Sequence, residues 1–190
     1  MSRNSRHDVI ATARRLFAQK GFHGTSMRDL GKELGLLGSS LYSHVGSKDE
    51  LLVDVVREAS VQFQSLADEV AAMAAPAPER LARLVEGHLE ILIKDPDQAR
   101  TFLDETRFLP DDDRVDAVAL MDRYQAVFRD VVEAGQREGV FRVDLDVSLA
   151  ANLALSLLNG TSRWYSEDGG LSVPELAVEI QELLTRGVQS

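Results

Sequence analysis

The stretch that decides the fold lies at residues 16–52 and reads LFAQKGFHGTSMRDLGKELGLLGSSLYSHVGSKDELL. Gly21 and Gly35 each follow an apolar run with helical spacing, and glycine tolerates the conformation that ends a helix. Ser47 and Glu50 stand three residues apart, as in a capping box at the start of another helix. The stretch therefore predicts two short helices joined by a tight turn, with one helix before them and a long one after them.

Apolar residues keep helical spacing on both sides of this stretch. Upstream, Val9, Ile10 and Ala13 continue the apolar stripe of a first helix that begins near Ser5. Downstream, further helices are predicted to begin near Pro78, Asp95-Pro96, Pro110, Asp146 and Pro174. Alternation typical of a strand is missing over any useful length. The sequence thus predicts an all-α protein of about nine helices, with a three-helix helix-turn-helix head in residues 1–50 and a larger helical domain in residues 51–190.

Composition bounds the class of protein. The chain has 190 residues, of which 44% are hydrophobic and 27% charged, so it can fold as one large or two small globular domains. It has no cysteine, which excludes disulfides, thiolate metal sites and a cysteine nucleophile. Residues 1–50 hold eight basic and five acidic residues, and the remainder holds 13 and 26, which gives net charges of +3 and −13. A basic head on an acidic body suits contact with a polyanion, although chance variation of surface charge explains the split equally well.

Neither a targeting segment nor a membrane span is expected. Residues 1–8 are polar and basic, and no apolar stretch of signal-peptide type follows them. The longest stretch without charge, residues 147–162, holds 16 residues and falls short of the ~20 apolar residues that a spanning helix needs. We therefore expect a cytoplasmic protein.

The second short helix carries small side chains that would suit a DNA groove. A recognition helix must enter the ~12 Å wide major groove, while the helix before it crosses the backbone. Ser39 and Ser40 permit close approach, and His44 and Lys48 can reach phosphates or base edges. Helical hairpins with glycine turns also occur in ordinary bundles. This pattern alone is therefore equally consistent with a helical bundle that does not bind DNA.

Residues 16–52 resemble the DNA-binding head of the TetR family of bacterial one-component regulators. The matching elements are Leu16-Phe17, Gly21-Phe22, Thr25-Ser26, Gly35, Leu41-Tyr42, His44, Ser47-Lys48 and Leu51-Leu52. The resemblance implies that one set of side chains holds DNA phosphates, namely Thr25, Arg28, Tyr42, His44 and Lys48. It also implies that Leu37, Ser39 and Ser40 lie against base edges.

The sequence departs from the family pattern in the predicted recognition helix. The family more often has a small polar residue and then a polar or basic one at Leu37-Gly38, and an aromatic residue is usual at Val45. No Arg or Lys occurs between Lys32 and Lys48. We therefore expect a marked share of DNA readout through apolar contact, water and DNA shape.

The body is similar to the acyl-CoA-responsive branch of the same family, which represses fatty-acid, sterol or aromatic-acid breakdown. The similar segments are residues 105–109, 139–146, 158–165 and 170–177. Gly160 and Thr161 stand where relatives often carry bulkier residues, which would reshape an effector pocket.

An acyl-CoA needs an apolar tunnel for its chain and cations for its phosphates. The expected ligand residues are Phe102, Leu103, Met121, Tyr124, Phe128, Leu158, Asn159 and Trp164, with Arg107, Arg123 and Arg163 as cations. Ordinary core packing is the alternative for each apolar residue, and a surface helix end is the alternative for Arg163-Trp164.

The last two helices predict a homodimer. The helix after Asp146 is apolar nearly all round and the last helix has a long apolar stripe, so a second copy is expected to cover them. Two heads about one helical turn apart, ~34 Å, would fit a palindromic operator. The working hypothesis is a repressor in which effector binding tilts the fourth helix and weakens DNA binding.

Two alternatives from other classes remain at this stage. The first is an all-helical hydrolase or thioesterase, although the chain lacks HExxH, GxSxG, phosphate-loop and paired-acid motifs and its four histidines are scattered. The second is a helical ligand-binding protein that does not read DNA. Asp111–Asp113 could be taken for a metal cluster, but acidic residues in a first helical turn are more often dipole partners, so no metal and no cofactor are expected.

Overall fold

The structure, a computed structural model, describes the backbone of residues 5–188 and the side chains of all of these except residues 38, 167, 187 and 188. Residues 1–4, part of the polar start, lie outside the described residues. Most of the described residues lie in helices, and the described residues form no strand. The predicted all-α class is confirmed.

Nine α-helices lie within the described residues, as predicted. They are α1 Arg6–Lys20, α2 Met27–Leu34, α3 Gly38–Tyr42, α4 Lys48–Ala72, α5 Ala77–Lys94, α6 Pro96–Glu105, α7 Asp111–Arg137, α8 Val147–Gly160 and α9 Val173–Val188. Short 3-10 turns occupy Thr106–Phe108, Thr161–Arg163 and Glu167–Gly169. None of the described helices is both long and apolar enough to cross a membrane.

Of the two reciprocal hydrogen bonds in the capping box predicted at the start of α4, the structure shows the one to the Ser47 hydroxyl. The Ser47 hydroxyl accepts the Glu50 amide at 3.0 Å, as expected for an N-cap. The Glu50 carboxylate accepts the amide of Gly46 at 2.7 Å, one residue upstream of the position that a full box requires. Its other oxygen pairs with Arg6 at 2.8 Å. The Gly46 amide and then Arg6 lower the pKa of Glu50 below its usual value.

The chain forms two compact units that do not follow the sequence in order. The head unit comprises the described part of residues 1–61 together with residues 95–119, and the body unit comprises residues 62–94 together with the described part of residues 120–190. The predicted division into residues 1–50 and 51–190 stays a prediction.

Helix α6 joins the head unit through contacts with α1. The Thr101 hydroxyl donates to the Arg14 carbonyl at 3.1 Å, and the Arg14 guanidinium pairs with Asp95 at 3.0 Å. Thr101 is fully buried. Residues far apart in the sequence therefore build the core of the head, whose largest buried side chains are Phe17, Leu30, Leu41, Leu51 and Leu52.

The tight turns of the head depend on two glycines. Gly35 ends α2 in the left-handed conformation at φ 66°, and its amide donates to carbonyls of the last turn. Gly24 lies against the end of α1, where a Cβ would stand well inside van der Waals contact with the Lys20 carbonyl oxygen. The loop between α1 and α2 thus has no room for a side chain at residue 24.

We expect Gly24→Ala to destabilise the protein by about 2 kcal/mol, because main-chain atoms must move to admit the methyl group. Chemical denaturation followed by circular dichroism measures this change. Gly160→Ala is the matched control, since an alanine there meets open space among the described residues and raises helix propensity. Equal stability of the two variants would contradict the packing of this loop.

Candidate nucleic-acid interface and effector core

Helix α3 is held by its inner side and presents hydroxyls on its outer side. Leu41 and Val45 are buried, and the Leu41 carbonyl accepts the amides of His44 and Val45 at 3.0 and 3.3 Å. Ser39 and Ser40 are exposed. The helix spans only five residues, so its position depends on the anchor at Leu41 rather than on its own length.

The predicted DNA-contacting residues fall into three groups by exposure. Exposed are Arg28, Leu37, Ser39, Ser40 and Tyr42. Partly buried are His44 and Lys48, and Thr25 is buried. The Thr25 hydroxyl donates to the carbonyls of Leu16 and Gly21 at 3.2 and 3.0 Å, so it closes the end of α1. Contact of any of these residues with DNA stays a prediction.

Two charged side chains hold the main chain of Phe22, an arrangement that we name the Phe22 clamp. Lys48 Nζ donates to the carbonyls of Phe22 and Thr25 at 2.8 and 2.9 Å. The same ammonium lies 4.1 Å from the centroid of the Phe22 ring. On the opposite side, the Phe22 amide donates to the Glu105 carboxylate at 2.9 Å. The clamp therefore joins the first residue of α4, the α1–α2 loop and the last residue of α6.

Aromatic rings extend the clamp on the side of α6. The Phe108 ring stacks on Phe22 at 6.2 Å and meets His23 edge-on at 4.4 Å. The Arg107 guanidinium lies 4.7 Å from the Phe108 centroid. Arg107, predicted as a cation for effector phosphates, is thus placed on this aromatic cluster of the head unit.

Ion pairs engage part of the positive charge of the head. Arg6 contacts Glu50 and Asp54, each at 2.8 Å, and Arg15 contacts Glu33 at 2.7 Å. These pairs are partly exposed and contribute little stability each. Glu33 and Glu50 are already included in the net charge of +3 counted for residues 1–50, and of these three partners only Asp54 adds a negative charge from outside that count.

A polar row, which we name the His88 row, crosses the apolar core of the body unit. His88 Nδ1 lies 3.0 Å from the Tyr124 hydroxyl, and Nε2 lies 3.0 Å from Asn159 Oδ1. Phe63 lies 5.2 Å from the His88 ring, and Phe128 lies 5.5 Å from the Tyr124 ring. Helices α5, α7 and α8 each supply one member of the row.

The partners fix the proton positions in the His88 row. Asn159 Oδ1 can only accept, so Nε2 of His88 carries the hydrogen. Nδ1 of the neutral ring then accepts a hydrogen bond from the Tyr124 hydroxyl. Burial lowers the pKa of His88 to about 4 and raises the pKa of Tyr124. Both groups are therefore neutral at pH 7.

The structure brings together some of the predicted effector residues. Tyr124 and Asn159 both contact His88, Phe128 packs against the Tyr124 ring, and Met121 lies one turn before Tyr124 on α7. Arg163 and Trp164 lie at the exposed turn after α8, where Trp164 is 60% exposed and packs edge-on against Tyr165 at 6.4 Å. Phe102, which is buried, belongs with Arg107 to the head unit.

Sequence reasoning missed His88, although a signal was present. The histidine falls on the buried stripe of α5, between Leu84 and Leu92 at intervals of four residues. A titratable side chain on such a stripe must find partners inside the core. Along the sequence, His88 is one of four scattered histidines, and only its place on this stripe distinguishes it.

Asp111, Asp112 and Asp113 lie in the first turn of α7, the position that the helix-dipole interpretation requires. Asp111 begins the helix and accepts Arg114 at 2.6 Å. The described residues contain no group of three His, Cys, Asp or Glu side chains that could hold a metal ion.

Two family comparisons agree with this architecture. Residues 9–55 match the family described as bacterial regulatory proteins, tetR family. Residues 74–188 match the family described as tetracyclin repressor-like, C-terminal domain. The fold and its matched segments define a DNA-binding transcriptional regulator. The chain belongs to the TetR family, which confirms the resemblance seen in residues 16–52.

Similar proteins extend over nearly the whole chain. The transcriptional repressor KstR2 of Rhodococcus jostii is 26% identical over 97% of this chain and 91% of its own length. The structure of the ketosteroid transcriptional regulator KstR2 of Mycobacterium tuberculosis has a TM-score of 0.91 at 25% identity, covering 97% and 95% of the two chains. AibR, solved with isovaleryl coenzyme A and operator DNA, has a TM-score of 0.85 over 95% and 97% of the chains and, at 21% identity, shows likeness of fold alone. Regulators of this kind favour a regulatory role over the enzyme alternative.

We expect the stability of the protein to fall as the pH drops from about 6.5 to about 4, through His88. The buried ring stays neutral in this range, whereas the unfolded chain binds a proton, so unfolding is favoured by up to about 3 kcal/mol. His88→Gln should be less stable at pH 7.5 but should lose this part of the pH dependence. Denaturation at several pH values measures it, with His7→Gln on the exposed surface of α1 as control. A pH dependence unchanged in His88→Gln would contradict a neutral buried imidazole.

We expect Glu105→Ala to free the Phe22 amide, because a buried donor without its carboxylate exchanges with solvent when the loop opens. Hydrogen exchange followed by NMR should show faster exchange at Phe22. Glu105→Gln, which keeps an acceptor oxygen but no charge, should lie between the wild type and Glu105→Ala. If Glu105→Ala left the exchange rate of Phe22 unchanged, the clamp would have no role in holding this loop.

Proposed function

We propose that this chain is a transcriptional repressor that binds a palindromic DNA operator as a homodimer and leaves it when a small hydrophobic effector binds. An acyl-CoA thioester is the proposed effector class. The observation that carries the proposal is the short helix α3, whose inner side is anchored by buried Leu41 and Val45 while its outer side presents hydroxyls.

The exposed side chains of the head suggest a division of labour on DNA. Ser39 and Ser40 would contact base edges, whereas Arg28 and Tyr42 would contact phosphates. Lys48 uses two of its three N–H donors within the Phe22 clamp, which leaves one for a phosphate. His44, partly buried beside the anchor of α3, would contact a phosphate at the edge of the interface.

Exposed aliphatic side chains support dimerisation through the last two helices. Leu149 and Leu153 lie one turn apart on α8 and are more than half exposed. Val178 and Leu183 on α9 are exposed to a similar degree. A second copy that covers these side chains would remove their apolar area from water. The resulting twofold symmetry is what a palindromic operator requires.

The body unit offers chemistry that suits an acyl chain. The surroundings of the His88 row are apolar and aromatic with a few fixed polar groups, which is typical of small-molecule sites. Arg163 beside Trp164 would meet the phosphates of the coenzyme at the exposed turn after α8. AibR, which is similar in fold, was solved with isovaleryl coenzyme A, and this supports an acyl-CoA thioester as the proposed class of effector.

Helix α4 provides the route by which the effector would act on the head. It spans residues 48–72, which belong to both compact units, and its first residue holds the Phe22 clamp. An effector that displaces α4 would therefore shift the α1–α2 loop and change how the two heads fit one operator. Such coupling is reciprocal, so DNA and effector each weaken binding of the other.

We expect the purified protein to select specific fragments from its own genome at moderate salt, and saturating effector to weaken that binding by about 5- to 150-fold. A thermal-shift panel of CoA thioesters, with free acids and coenzyme A as controls, identifies the effector. Arg163→Ala should reduce the shift caused by the thioester and leave that of the free acid unchanged.

Three outcomes would contradict the proposal. Binding of a thioester without any preference for genomic DNA would favour the ligand-binding protein that does not read DNA. Turnover of the thioester would revive the hydrolase alternative. Operator affinity that is unaffected by a saturating ligand would remove the coupling.

A further inference from the structure

The residue that begins helix α3 departs from two common patterns, a polar side chain at the N-cap and a buried position for a large aliphatic side chain. Leu37 is the N-cap of this helix, with φ −69° and ψ 150°. N-cap positions favour Ser, Thr, Asp and Asn, whose side-chain oxygens accept free amides, and an aliphatic side chain cannot do so. Leu37 is also 79% exposed, the second-highest exposure among the large hydrophobic residues described. Local rules that fail together at one residue indicate selection for function rather than for stability.

The position of Leu37 says what this function requires. A recognition helix contacts base edges mainly through its N-terminal residues. No Arg or Lys occurs between Lys32 and Lys48, so a bidentate contact from a basic residue of α3 to guanine is excluded. Ser39 and Ser40 can bond to any base, because a hydroxyl both donates and accepts. Direct discrimination between base pairs then needs a further side chain at this end of α3, beside the readout through water and DNA shape.

Among the groups that the four base pairs present in the major groove, the apolar one is the C5-methyl of thymine. We propose that Leu37 is a specificity-determining residue that packs on the C5-methyl group of a thymine in each operator half-site. This inference rests on the proposed function and adds to it the chemical group that is read. It also accounts for the aliphatic N-cap, since a capping serine would lack the apolar surface.

The test replaces thymine by deoxyuridine, which removes the methyl group and leaves base pairing intact. An operator duplex is first selected with the wild-type protein, and each thymine is then replaced in turn. At one position in each half-site the wild type should lose about fourfold in affinity, the value expected for one buried methyl group. Leu37→Ala should bind the unmodified duplex more weakly and show less than a twofold effect of deoxyuridine at that position.

A second variant distinguishes a role of Leu37 in base recognition from a role in stability. Leu37→Ser supplies a capping hydroxyl, so it should melt about 2 °C higher than the wild type. It should nevertheless bind the operator more weakly, and its affinity should not change when deoxyuridine replaces thymine at that position. A residue with a purely structural role would give the opposite result, with binding unchanged or improved. Val115→Ala, which trims an exposed valine of α7, is the control and should keep the full effect of deoxyuridine.

The outcomes distinguish this inference from the proposed function. Specific operator binding with no deoxyuridine effect at any position would overturn the role of Leu37 and leave the repressor intact. The same deoxyuridine effect in Leu37→Ala as in the wild type would overturn it as well. If no duplex were selected, the proposed function would fail and the inference with it.

Discussion

The Phe22 clamp fixes the α1–α2 loop of the head unit to the ends of helices α4 and α6. The α1–α2 loop turns within a few residues. Its buried Phe22 amide needs a partner from another element, whereas the Phe22 carbonyl already accepts the Thr25 amide at 3.2 Å. The Glu105 carboxylate accepts the Phe22 amide at 2.9 Å, and Lys48 adds a charged donor to the Phe22 carbonyl at 2.8 Å. Hydrogen bonds to charged groups are about twice as strong as neutral ones. The loop is therefore fixed by residues that belong to two other helices, and α2 and α3 start from this fixed point.

In the body unit, buried polar groups are paired through hydrogen bonds between neutral side chains. His88, Tyr124 and Asn159 satisfy one another as neutral groups in an apolar core. A charged group there would lose its hydration with no counter-ion beside it, which is why burial lowers the pKa of His88. The two units differ accordingly: charge holds a loop near the surface of the head, and neutral hydrogen bonds hold three helices together in the body.

Much of the local structure follows from the sequence because its causes are local. Helical spacing located the nine helices of the described chain, and Ser26, Asp95 and Asp146 cap helices as their side chains allow. The candidate sites were less predictable, because they depend on residues that meet from distant parts of the chain. Glu105 reaches Phe22 across 83 residues, and no spacing rule connects them. The guanidinium of Arg107, a predicted partner of effector phosphates, lies over the ring of its neighbour Phe108 in the head unit, a contact that no helical spacing predicts.

The placement of α6 changes how the two family segments should be understood. The segment that matches the C-terminal family domain covers residues 74–188, yet its residues 95–119 pack within the head unit. Thr101, Glu105 and Phe108 contact α1 or the α1–α2 loop directly. A fragment ending at residue 61 would keep the DNA-binding motif but lose half of the Phe22 clamp. Residues 95–119 of the C-terminal family segment are thus a structural part of the head unit, so a displacement of α6 would act directly on the contacts of the α1–α2 loop.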